Sequence, residues 1–270
     1  MGYISRDGVA LHYRYSPMHR GPGDGPTLVF ANSLGTDLRL WDDVASRLEP
    51  HATVLRYDKR GHGLSGAPQG DYTIDDHVSD LAALLDALSI ERSIVVGLSV
   101  GGMIAMALAA LRPDLVRALV LCDTGHRIGE ESLWNARIAK VTAQGMPGMA
   151  DAILERWFTP AFLERRPPEL GGCRSMLLAQ PAAGYAGTCA AIRDADLEAE
   201  ARAIAVPTLC LGGDADLSTP PELMRDLAAL IPDARFEVIQ DCGHIPPVEQ
   251  PDALLAHLEE FLDAIEGGAR

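Results

Sequence analysis

The stretch VVGLSVGG, residues 95–102, decides how the chain is read. An apolar, β-branched run leads directly into Gly97-Leu98-Ser99-Val100-Gly101, a G-x-S-x-G in which two glycines enclose one serine. Glycine weakens regular elements, so a pair of them around a polar residue marks a backbone path closed to other side chains. Residues 100–113, VGGMIAMALAALRP, then have the composition of a buried helix stopped by Pro113. Strand, tight turn and helix in that order place Ser99 on strained backbone with its hydroxyl pushed out at the end of a sheet. The free N–H groups and positive dipole end of the helix would face charge developing beside it.

Outward from this turn, short apolar runs at 26–32, 52–58, 92–98, 116–123, 207–213 and 235–241 read as strands. Helical spacing recurs at 79–90, 221–232 and 251–265, and the N-terminus reads as a hairpin turning at Asp7-Gly8. Alternating strands and helices predict an α/β protein with a mostly parallel, twisted sheet and helices on both faces. The alternation breaks at residues 126–203, where 131–141 and 149–158 are helical and RRPPELGG (165–172) interrupts them. Because the strand pattern resumes at Pro207, this segment is expected to be a helical cap over the carboxyl edge of the sheet, with 1–125 and 204–270 forming the core. Residues 19–26, HRGPGDGP, read as a loop.

Composition narrows the function. The chain has 270 residues, which fits one large α/β domain or two small ones, and 47% are hydrophobic, which excludes disorder. A formal net charge of −15 sets it against nucleic acid or an anionic membrane surface, and no apolar run approaches the roughly 20 residues that cross a bilayer. The five cysteines, Cys122, Cys173, Cys189, Cys210 and Cys242, show no C-x-x-C spacing, which argues against a zinc site or a disulfide framework and suits a reducing cytoplasm. The first residues lack the basic-then-apolar pattern of a signal peptide, so a cytoplasmic location is expected.

A serine hydroxyl needs a base. Of eight histidines, His244 follows the last strand in a Gly- and Pro-rich loop, DCGHIPPVE, from which a ring could reach Ser99. His62 reads as a structural loop histidine; His12, His19, His51, His77 and His257 fall on surface-like segments; His126, at the start of the cap, could line the pocket. The third member should be a carboxylate that orients the imidazole. Asp214 and Asp216 both follow a strand, with Asp123, at the end of the preceding one, an outsider. Asp216 is preferred because Gly213, Asp216 and Pro220 form a G-x-x-D-x-x-x-P, and the order Ser, acid, His is that of an α/β-hydrolase. The oxyanion donors are then the backbone N–H of Val100 and, by position in ANSLGTD (31–37), that of Leu34.

The segments VFANSLGTDLRLWDDV, VLRYDKRGHGLS, GLSVGGMIA, LVLCDTGHRIG, LWNARI and ILERWFTPAF together resemble the 3-oxoadipate enol-lactonases, α/β-hydrolases of the β-ketoadipate pathway of aromatic breakdown. The likeness spans residues 26–200, and its specific part is the Asn32-Ser33-Leu34-Gly35-Thr36 loop with the cap segments. Val100 departs from it, standing where methionine is expected, and from Pro207 onward the sequence is similar only to the fold in general. The resemblance implies that Ser99 attacks a lactone carbonyl with His244 as base and that water then releases 3-oxoadipate, with no metal and no cofactor. Such a substrate is anionic, so a local cation must offset the protein's charge. On the helix at 131–141, Trp134, Ile138 and Val141 share a face with Arg137 at its edge, which nominates Trp134 as pocket lining and Arg137 as the carboxylate's partner. A general carboxylesterase or a cofactor-free haloperoxidase (perhydrolase) would use the same triad. A ligand receptor of this fold would not need it, and a dehalogenase would carry aspartate in place of Ser99.

Overall fold

The computed structural model describes residues 1–18 and 25–267; His19 and most of the loop expected at 19–26 lie outside them. A hairpin opens the chain: β1 (Gly2–Arg6) pairs antiparallel with β2 (Val9–Ser16), and Asp7 and Gly8 both take positive φ in the two-residue turn. Then β3 (Thr27–Ala31), α1 (Asp42–Leu48), β4 (Thr53–Tyr57), α2 (Ile74–Ala87), β5 (Ser93–Leu98), α3 (Val100–Leu111) and β6 (Val116–Cys122) alternate. Six helices follow without a strand: α4 (Glu131–Gln144), α5 (Ala150–Trp157), α6 (Pro160–Arg165), α7 (Pro167–Leu178), α8 (Ala182–Arg193) and α9 (Glu198–Ala203). The alternation resumes with β7 (Thr208–Gly213), α10 (Pro221–Leu230), β8 (Arg235–Ile239), α11 (Pro246–Glu249) and α12 (Pro251–Gly267).

The eight strands form one sheet in the order β1-β2-β4-β3-β5-β6-β7-β8, parallel from β4 to β8. Every residue of β5 and β7 is buried, which requires cover on both faces. Helices α2, α3, α9 and α10 pack into one layer, and α1, α11 and α12 into another. The chain moves from β3 outward to β4 and then returns to place β5 on the other side of β3. The loops leaving β3 and β5 therefore diverge, opening a crevice at the carboxyl ends of these strands, where sheets of this type bind ligands.

Three expectations need correction. Helix α2 starts at Ile74 rather than 79, because Thr73 and Asp76 form a reciprocal capping box. The interruption expected at 165–172 shrinks to Arg166: Pro167 and Pro168 sit in the first turn of α7, where a missing N–H breaks no helical bond. His12 and His77 are buried rather than on the surface. His12 Nδ1 is 2.7 Å from Asp58, and His77 lies on the inward face of α2 with Ile74, Val78 and Leu81. Burial first, then the charges of Lys59 and Arg60, pushes the His77 pKa down to about 3. His51 is exposed and His257 half-buried. All five cysteines are free and buried. Among the described residues no helix is long and apolar enough to cross a membrane.

Candidate active site

Ser99 sits between β5 and α3 with φ 58° and ψ −120°, a left-handed conformation rare outside glycine. Its N–H donates to the Cys122 carbonyl at 2.9 Å, and its carbonyl accepts from the Thr124 hydroxyl at 2.7 Å, so β6 and the loop after it hold the turn. A Cβ at Gly97 would lie 2.4 Å from the Gly101 carbonyl oxygen, and one at Gly101 would lie 2.1 Å from that of Ala31. The glycines are what let α3 approach β5 and β3 this closely.

Asp216 Oδ2 lies 2.8 Å from His244 Nδ1. The same oxygen accepts from the Thr219 hydroxyl at 2.6 Å, while Oδ1 accepts from the Ser218 N–H, also at 2.6 Å. Burial alone would raise the Asp216 pKa, but the His244 charge and these hydrogen bonds outweigh it and hold the carboxyl below its ordinary value. Asp214 is exposed and accepts instead from the Cys242 N–H. Thr219, three residues after the acid, is a partner the sequence reading missed.

Asp123 is closer to this pair than an outsider should be. It is fully buried, and a carboxylate oxygen of it lies within 4.8 Å of ligand atoms of Asp216 and His244. Its Oδ1 accepts from the Gly213 N–H, and Oδ2 has no hydrogen-bond partner among the described residues. Burial, and next the Asp216 charge, pushes its pKa well above the ordinary carboxylate value.

The loop after β3 supplies the other wall. The Gly35 N–H donates to His62 Nε2 at 3.0 Å and the Thr36 N–H to the Ser33 carbonyl at 3.3 Å. The Leu34 N–H, just before them, is spent on no hydrogen bond among the described residues, and Val100 opens helix α3, where N–H groups lack an intrahelical acceptor.

Ser99, His244, Leu34, Trp134 and Arg137 all line one cavity of about 300 Å³. No hydrogen bond joins Ser99 to His244 in this structure; such contacts are often long in unliganded sites. Trp134 donates from Nε1 to the Ile128 carbonyl at 2.6 Å, which fixes its ring in the wall. The Arg137 guanidinium lies 5.2 Å from the Trp134 ring centroid and forms no ion pair among the described residues. Arg156, which the sequence reading missed, is a second cation on the wall and donates to the Leu217 carbonyl. Among the described residues no aspartate or glutamate lines the cavity, so it is locally cationic in a protein of net charge −15. His126 does not line it; Ile128 and Gly129 do.

The helices between β6 and β7 are tied to the His244 loop. The His244 N–H donates to the Trp157 carbonyl at 2.8 Å. Buried Glu249 accepts from the Gly243 N–H at 2.8 Å, from the Thr159 N–H at 3.0 Å, and from the Thr159 hydroxyl.

A family model described as the alpha/beta hydrolase family matches residues 28–257. The chain is 35% identical over 250 residues to 3-oxoadipate enol-lactonase 2 of Acinetobacter baylyi, covering 93% of this chain and 92% of that protein. It is 32% identical to 3-oxoadipate enol-lactonase 1 of the same organism, over 91% of this chain and 92% of that one. The crystal structure of the enol-lactonase from Burkholderia xenovorans LB400 superposes with a TM-score of 0.93 at 41% identity, covering 97% of this chain and 99% of that one. The chain belongs to the alpha/beta hydrolase family. Within that family, its similarity to lactonases over almost the whole length makes it a carboxylic ester hydrolase.

Proposed function

We propose that the chain hydrolyses 3-oxoadipate enol-lactone to 3-oxoadipate through an acyl-enzyme on Ser99. The supporting observation is the cavity itself: a nucleophile turn and an Asp-held imidazole open onto a wall with an unpaired arginine and no acid. That combination suits a small ester that carries a carboxylate. Residues 126–203, apart from α9, which packs with α3 and α10, act as a cap that reads the substrate, and residues 1–125 and 204–270 carry the chemistry.

His244, oriented by Asp216 through Nδ1, takes the Ser99 proton as Oγ attacks the ring carbonyl. The Leu34 and Val100 N–H groups receive the oxyanion. Collapse of the tetrahedral intermediate breaks the ring C–O bond; the leaving oxygen departs as an enolate, takes the proton from His244 and tautomerises to the ketone. An enolate leaves more readily than an alkoxide, and ketone formation removes the oxygen that could reclose the ring. Water, deprotonated by His244, then attacks the ester on Ser99, and the second tetrahedral intermediate expels the serine, which recovers its proton. Arg137 pairs with the free carboxylate over the face of Trp134.

The test is spectrophotometric: enol-lactone is generated in situ and its absorbance followed with the native chain and with Ser99→Ala. Rapid loss with the first and the uncatalysed rate with the second is expected. Equal rates would overturn the reading, and turnover of a neutral aryl acetate alone would favour an unspecialised carboxylesterase.

A further inference from the structure

Lys59 is among the largest fully buried side chains, 2% exposed, and no step above uses it. A buried ammonium is costly unless paired, yet among the described residues no carboxylate lies within salt-bridge distance of it. Its one hydrogen bond runs from Nζ to the Ser33 carbonyl oxygen at 2.6 Å. That oxygen also accepts from the Thr36 hydroxyl at 2.9 Å and the Thr36 N–H at 3.3 Å, so three donors converge on it. The peptide bond that begins at the Ser33 carbonyl ends at the N–H of Leu34, which donates no hydrogen bond among the described residues and belongs to a residue that lines the cavity.

We propose that Lys59 is a positioning residue for the oxyanion site: its ammonium polarises and fixes the Ser33–Leu34 peptide from behind, so that the Leu34 N–H becomes a stronger donor to the oxyanion. This rests on the reading of Ser99 and Leu34 given above. Hydrogen bonds in a chain strengthen one another, because a donor on the carbonyl draws electron density from the N–H of the same amide. The cation also acts directly across the peptide. Over roughly 7 Å at an effective dielectric constant of about 20, Coulomb's law converts to a factor of about fifty in rate. Since charge exists on the oxyanion only in the transition state and intermediate, the effect falls on kcat and leaves KM nearly unchanged.

The surroundings make this charge adjustable. Burial pulls the Lys59 pKa down to about 7, with the Asp58 and Asp37 charges opposing the shift. From the loop after β3, Asp37 is itself paired with Arg39; from β2, His12 is bonded to Asp58. His62 in the loop after β4 and His77 on α2 both feel the Lys59 charge, while Arg60 beside them is paired with Asp76 and Asp80. A group lowered to about 7 is charged below that pH and neutral above it. Polarisation is therefore complete on the acid side and lost as pH rises.

The experiment compares the native chain with Lys59→Met, which keeps the length and removes the charge. Near pH 6, kcat should fall by about ten- to fiftyfold with KM within about twofold of native. Native kcat should decline above neutrality, and the two rates should converge near pH 9. A readout on the native chain alone covers failure of the variant to fold: affinity for an aryl trifluoromethyl ketone, which becomes a charged hemiketal on Ser99, should weaken over the same pH range while affinity for adipate does not. A Lys59→Met kcat within about twofold of native, or native kcat and ketone affinity flat through alkaline pH, overturns the inference. If either occurs while Ser99→Ala is inert, only the role of Lys59 fails; if Ser99→Ala is active, the reading of the site fails with it.

Discussion

Arg137 tests substrate charge recognition most directly. Replacing it with methionine keeps most of the side-chain bulk over Trp134 and removes one positive charge from a cavity with no acidic lining. A guanidinium and a carboxylate about 4 Å apart attract by about 1 kcal/mol in water and about 4 kcal/mol at an effective dielectric constant of 20. Arg137 is half-buried, so a value between these, about 2 kcal/mol, applies. That corresponds to roughly a thirtyfold rise in KM for the anionic lactone. The attraction acts on ground and transition states alike, so kcat should change little. Steady-state assays of Arg137→Met should show this rise, and added salt should raise KM in the native chain but hardly in the variant. A neutral aryl acetate should give the same KM with both. If KM for the lactone stays within about twofold of native, Arg137 does not meet the carboxylate, and Arg156 becomes the cation to replace.

Asp216→Asn should lower kcat by about 10³- to 10⁴-fold while circular dichroism stays native, whereas Asp214→Asn, on an exposed residue, should leave turnover unchanged. Gly101→Ala sets a methyl 2.1 Å from the Ala31 carbonyl oxygen; because two backbones must separate, a loss of more than about 3 kcal/mol is expected in urea unfolding. Asp123→Asn should raise stability at neutral pH and not near pH 4. Burial raises the Asp123 pKa well above that of the unfolded chain, which ionises at lower pH, so this residue costs stability increasingly as pH rises from the ordinary carboxylate range. Asparagine keeps the acceptor for the Gly213 N–H and has no carboxyl to ionise; thermal melts across pH would show the gap widening, and a constant gap would refute it.

What the sequence conveyed and what it withheld follow from how local each signal is. The central strands are legible because parallel strands buried on both faces read as continuous apolar runs, as in Ser93–Leu98 and Thr208–Gly213. The nucleophile turn is legible because its glycines are forced by contacts within one strand–turn–helix unit and with the adjoining Ala31. His77 could have been found: it falls in helical register with Ile74, Val78 and Leu81. His12 could not, since its burial depends on Asp58, 46 residues away. Asp123 is likewise set apart by burial beside Asp216, a residue 93 positions away in the loop after β7. Arg156 and Lys59 carry no local pattern at all; one faces the cavity and the other supports a peptide of its wall only because of how distant segments pack.

The seat of the imidazole is built from two parts of the chain. The backbone N–H of His244 rests on Trp157, and Glu249 clasps Thr159, so the helices above the cavity are buttresses of the base as well as its roof. A rigid swing of these helices would break the bonds from His244 to Trp157 and from Thr159 to Glu249 and shift the imidazole that the proposed mechanism uses as base. For the same reason, transplanting residues 126–203 from a relative would discard part of the catalytic footing. New substrate preferences are better sought by exchanging individual walls on α4, α5 and α8 while residues 157–159 are left in place.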